Sequence, residues 1–67
     1  MIKIVLNGEE CEINENTGIS GLLTEKGINP SVAVVEYNGK IVPKENFGEK
    51  IIEEGAVLEV LRFVGGG

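Results

Sequence analysis

At 67 residues the chain has room for one small domain, and a domain of that size buries only about 60% of the surface its unfolded chain exposes. Six Lys and Arg stand against eleven acids, all glutamate, for a net charge of −5; this repels nucleic acid and anionic membrane and suits a partner with a basic docking surface. One cysteine, no histidine and no aspartate exclude a disulfide framework, a His-centred triad and a two-Cys two-His metal site, so a self-contained enzyme is not expected.

Taken in chain order, Met1-Ile2-Lys3-Ile4 is too short and too alternating for a signal peptide, and no later run approaches the ~20 apolar residues of a membrane span. With a lone thiol, that predicts a cytoplasmic protein. Ile2, Ile4 and Leu6 alternate with Lys3 and Val5 before Asn7-Gly8, and Cys11 and Ile13 follow among glutamates. Asn-Gly between two alternating stretches predicts a tight hairpin, because both turn positions need positive φ. After Asn14-Glu15-Asn16, Thr17 is the expected cap of a helix with apolar positions Ile19, Leu22 and Leu23, Lys26 in its last turn and Gly27 as its stop. Gly18 and Gly21 weaken that helix, each interior glycine costing roughly 1 kcal/mol against alanine, so packing onto a sheet has to hold it.

Asn29-Pro30-Ser31 ends the crossover, and Val32 to Tyr37 reads as a buried strand. Asn38-Gly39 predicts a second tight turn into Lys40-Ile41-Val42, where Pro43 stops ladder donation. Residues 44–48 read as an irregular turn with Phe47 plugging the core, residues 49–52 as a possible short edge strand, and Ala56 to Val64 as the final strand. The order β-β-α-β-β-β predicts an α+β fold of β-grasp, ubiquitin-like type. Its mixed sheet has about four to five strands with one helix across one face, and the last strand lies parallel to the first. The domain is expected over 1–64, with 65–67 a flexible glycine tail.

On the final strand, Glu59 marks the solvent face, so Ala56, Leu58 and Val60 are expected inside and Val57, Leu61 and Phe63 outside. Arg62 breaks this pattern on the inner face, and the opposite register would bury Leu61 and Phe63 as ordinary core. Its position where the strand leaves the sheet favours the exposed stripe, and contiguous exposed apolar residues mark partner surfaces. Three glycines at the very end suggest fraying when read alone. Behind such a stripe they read differently, because a chain without side chains can be threaded into another protein's active site.

The stretch Val34-Val35-Glu36-Tyr37-Asn38-Gly39-Lys40-Ile41-Val42-Pro43, the aromatic Phe47, and the ending Leu58-Glu59-Val60-Leu61-Arg62-Phe63-Val64-Gly65-Gly66-Gly67 resemble the ThiS family of sulfur carrier proteins of thiamine biosynthesis. The resemblance covers nearly the whole chain; Ala56 departs from it, at a turn where the family often has a second acid. It implies a carrier and not a catalyst. A ThiF-like adenylating enzyme would use ATP to convert the carboxylate of Gly67 to an acyl adenylate, and a persulfide would then yield a thiocarboxylate. A ThiG-like thiazole synthase would take the sulfur. Gly65 and Gly66 would form the stalk, and Val57, Leu61, Arg62, Phe63 and Val64 the docking handle. The carrier itself would bind no cofactor stably and would be a monomer when free.

Alternatives within the class are carriers for molybdopterin, cysteine or tRNA thiolation; the molybdopterin synthase small subunit tends to be longer and to carry prolines before its glycines. A β-grasp interaction module with an inert tail is the alternative of another class. Cys11 could store persulfide sulfur but reads as a small hydrophobe in a strand. The glutamates at 9, 10, 12, 15, 25, 45, 49, 53 and 54 read as a solvated face. Arg62 is either a specificity contact or a solubilising charge.

Overall fold

A computed structural model describes residues 1–63. The chain opens with β1 (Ile2–Leu6) and β2 (Glu9–Ile13), paired antiparallel with Leu6 opposite Glu9. Between them Asn7 and Gly8 take φ of +51° and +84°, the doubly left-handed turn that lets two strands keep their right-handed twist. Asn38 and Gly39 repeat it at +51° and +85° between β3 (Ala33–Tyr37) and β4 (Lys40–Val42). A single helix, α1 (Ile19–Glu25), follows the first hairpin, and β5 (Val57–Arg62) comes last.

The sheet order is β2-β1-β5-β3-β4. The final strand therefore sits at the centre, parallel to β1 through Val5–Val57 and Leu6–Leu58 and antiparallel to β3. This is the expected α+β arrangement, five strands with one helix across one face. Leu22, Leu23 and Ile19 bury that helix against Ile4, Ile13, Val35 and Leu58, all at most 2% exposed. Phe47 closes one end of this core as expected, at 3% exposure.

Two local expectations are corrected. Thr17 does not cap α1: its hydroxyl donates to the Asn14 carbonyl, and Gly18 stands at the cap position without a side-chain bond. The first helical N–H groups, which have no partner within a helix, donate instead across the chain, Ile19 to the Lys50 carbonyl and Ser20 to the Phe47 carbonyl. A Cβ on Gly18 would stand 3.4 Å from the Lys50 oxygen, an ordinary contact, so these bonds do not themselves require glycine. The same exchange explains why residues 49–52 form no strand. Their backbone serves the start of α1, with Ile52 donating to Thr17 and a single bridge joining Ile51 to Gly18.

Gly27 stops the helix as expected, at φ +73°, but Lys26 is not in its last turn: α1 ends at Glu25 and Lys26 is the cap. A 3₁₀ turn over Pro30–Val32 shortens β3, and Asn29 accepts the Ser31 N–H at its start. Residues 44–46 make a second 3₁₀ turn. Tyr37, buried from β3, accepts the Glu53 N–H on its hydroxyl at 3.0 Å, and the Lys50 ammonium lies 4.4 Å above the ring centroid. β5 is shorter than expected at both ends: the Ala56 N–H turns back to the Glu53 carbonyl, and the strand stops at Arg62 with Phe63 beyond it. Among the described residues no helix is long and apolar enough to cross a membrane.

Candidate functional site

Alternation along β5 divides the strand between two environments. Leu58 and Val60 point into the core at 0% and 8% exposure, while Val57, Leu61 and Phe63 stand 46%, 57% and 62% exposed. The register that would bury Leu61 and Phe63 is excluded. Arg62 takes the inner side by alternation, opposite the buried Ala33, but lies exposed where the core ends. Val64, Gly65, Gly66 and Gly67 lie outside the described residues.

The helix covers one side of the sheet only, so the outward side chains of β5 belong to a wider open face. Directly opposed residues of paired strands share a face. Val34 of β3 therefore stands beside Leu61, Val5 of β1 beside Val57, and Ile41 of β4 beside Glu36. Ile41, 67% exposed, extends the apolar surface to the far edge of the sheet. Within it, Glu36 and Glu59 face each other across β3 and β5, two like charges where cross-strand pairing favours opposite ones. The sequence reading missed Val34, Ile41 and this pair. A two-residue turn at Asn38-Gly39 sets Ile41 opposite Glu36, so the hairpin register could have placed Ile41.

The asparagines that open both tight turns also hold β5. Asn7 donates its N–H to the Leu58 carbonyl and accepts the Val60 N–H on its side chain at 2.7 Å. Asn38 does the same from the other side, donating to the Val57 carbonyl and accepting the Val57 N–H at 2.8 Å. Positive φ, a backbone donor and a short side-chain acceptor are all needed at these two places, which asparagine supplies. The strand that leads to the closing glycines is thus clasped on both flanks.

Cys11 lies half-buried at the middle of β2, packed against the core. Among the described residues no three His, Cys, Asp or Glu side chains gather as metal ligands would.

The model of the ThiS family matches residues 4–67. A sulfur carrier protein ThiS of Bacillus subtilis is 35% identical over 63 residues, covering 92% of this chain and 96% of that protein. A thiazole synthase of Paramagnetospirillum magneticum is 36% identical over 66 residues, 98% of this chain, yet the chain spans only 20% of its length. Among solved structures, the crystal structure of a thiamine biosynthesis protein (ThiS) from Geobacter metallireducens superposes with a TM-score of 0.84 at 26% identity, covering 98% of this chain and all of the other.

Proposed function

The chain belongs to the ThiS family, and on that footing we propose that it is a sulfur carrier of thiamine biosynthesis whose Gly67 carboxylate becomes a thiocarboxylate. The observation that carries this reading is the family match running through the closing glycines to residue 67. The exposed stripe on β5 supports it, because Leu61 and Phe63 lie immediately before the glycines and face away from the core.

A carboxylate is a poor electrophile until one oxygen can leave. Its oxygen attacks the α-phosphorus of ATP on a ThiF-like enzyme, expelling pyrophosphate and leaving an acyl adenylate. A sulfur nucleophile then attacks the carbonyl carbon and expels AMP. With a persulfide as donor, a thiol reductant cleaves the resulting S–S bond to release the thiocarboxylate. This chain's part is to present an unhindered carbonyl carbon and a docking face; Gly65 and Gly66 put no side chain beside the reacting group.

The thiazole synthase likeness supports an acceptor of the ThiG type, and the carrier from Bacillus subtilis supports thiamine over molybdopterin, cysteine or tRNA thiolation. Val57, Leu61, Arg62, Phe63 and Val64 form the docking handle in this reading, and the tail is 65–67. The test is intact mass spectrometry after incubation with a ThiF-type enzyme, ATP and a sulfur donor. Exchange of one oxygen for sulfur on the C-terminal residue is expected. An unchanged mass with active enzyme refutes the carrier role and favours an interaction module with an inert tail.

A further inference from the structure

The backbone of β5 has an open flank that the sheet order hides. Phe63 donates to the Val32 carbonyl and Asn38 to the Val57 carbonyl, so with the register Leu61–Val34 and Glu59–Glu36 the odd-numbered residues turn their peptide groups toward β3. Leu58, Val60 and Arg62 turn theirs toward β1, as the bond from Asn7 to the Leu58 carbonyl confirms. But β1 pairs with β5 only through Val5 and Leu6. The Asn7 side chain takes the next donor, the Val60 N–H. Beyond it, the Val60 carbonyl and both the N–H and carbonyl of Arg62 have no hydrogen-bond partner among the described residues.

A row of unpaired peptide groups beside an exposed strand is a template for another strand. The outer edges of the sheet are guarded, β2 by Glu9, Glu10 and Glu12, and β4 by its three-residue length and Pro43. This inner half-edge carries instead Leu61 and Phe63 on its open side and one cation, Arg62, on the other. A second copy of the chain would bring its own −5 charge and is disfavoured as the occupant.

We infer that an extended segment of the adenylating partner adds as a strand to β5 at Val60–Arg62, filling the place that β1 vacates at Asn7. The segment presents an apolar side chain beside Leu61 and a carboxylate beside Arg62. This rests on the carrier reading above, since it takes the adenylating enzyme as partner. Strand addition at this point fixes the backbone immediately ahead of Phe63 and so aims the chain's end at the nucleotide site.

Amide hydrogen exchange, free and in complex with a ThiF-type enzyme, tests it. The Arg62 amide exchanges quickly in the free protein and slows at least about tenfold on binding, as a newly bonded edge amide does, while the Val60 amide, already bonded to Asn7, changes little. Arg62→Pro removes the outward N–H without touching the ladder to β3, and weakens docking about tenfold more than Arg62→Ala, which keeps it. An Arg62 amide that stays fast in a complex competent for thiocarboxylate formation overturns the added strand and leaves the carrier role standing. Failure of the wild-type chain to bind the active enzyme at all overturns both.

Discussion

Leu58→Ala and Leu61→Ala remove the same atoms three residues apart on one strand, and their effects should separate completely. Leu58 is fully buried between the helix and the sheet, so its truncation costs about 2 to 5 kcal/mol in lost transfer energy and residual cavity. A 67-residue domain holds roughly 3 to 10 kcal/mol in all, at about 0.05–0.15 per residue. With a urea slope near 1 kcal/mol per molar, the midpoint falls by about 2 M or more, and part of the population is unfolded without denaturant. Leu61 is 57% exposed, so less than half of the roughly 1.5–3 kcal/mol of a fully buried leucine is at stake and the loss stays below about 1.3 kcal/mol. Urea unfolding followed by circular dichroism reads both values. The same two proteins are then assayed for thiocarboxylate formation by mass spectrometry under subsaturating carrier. Leu61→Ala should slow it while remaining folded. Equal destabilisation by the two substitutions would falsify the assignment of faces, and an unslowed Leu61→Ala would remove Leu61 from the docking handle.

The other expectations concern residues whose partners lie far along the chain. Asn7→Ala leaves the Val60 N–H unbonded and removes the short polar side chain that favours the left-handed turn, for a loss of about 2 kcal/mol; Asn7→Asp keeps the acceptor and should lose much less, a contrast that thermal melts resolve. Gly21 is exposed and a Cβ there would meet the Thr17 methyl at an ordinary 3.6 Å, so Gly21→Ala should stabilise by roughly 0.5–1 kcal/mol; a lowered melting temperature would show that the glycine has a packing role. Glu36→Gln relieves the repulsion facing Glu59 and should raise stability by about 0.2–1 kcal/mol, a gain that shrinks with added salt. Deleting Gly67 should abolish thiocarboxylate formation and leave the urea midpoint unchanged, and thiolation of the shortened chain would refute the assigned carboxylate.

What could be read in the sequence was local or strictly periodic. Asn7-Gly8 and Asn38-Gly39 announce their turns because positive φ restricts residue choice within two positions. The faces of β5 follow from Glu59, a charge in mid-strand that only one face can accept. Where the reading failed, the partner was remote. Thr17 has the right chemistry for a cap, yet carbonyls of Phe47 and Lys50 reach the helix first, and the Lys50 carbonyl and Ile52 N–H spent on residues 17–19 are groups that a strand over 49–52 would have used. The open face was half visible: Val57, Leu61 and Phe63 came from one strand's alternation, whereas Val34, Ile41 and the Glu36–Glu59 opposition depend on registers between strands. The asparagine clasps on β5 were invisible for the same reason, since Asn7 and Val60 meet only after the sheet closes.

The central place of β5 also bears on biosynthesis. Among the described strands β5 comes last in the chain, yet it lies between β1 and β3, so the residues before it hold two hairpins with bare inner edges and a helix without a floor. Such long-range closure is slow relative to hairpin formation, and it cannot begin until the ribosome has passed Arg62. A copy that stops before Val57 therefore cannot join its two hairpins into one sheet or assemble the docking face, and its open edges are the kind that invite proteolysis. The fold makes delivery of β5 a condition for the open face to exist at all.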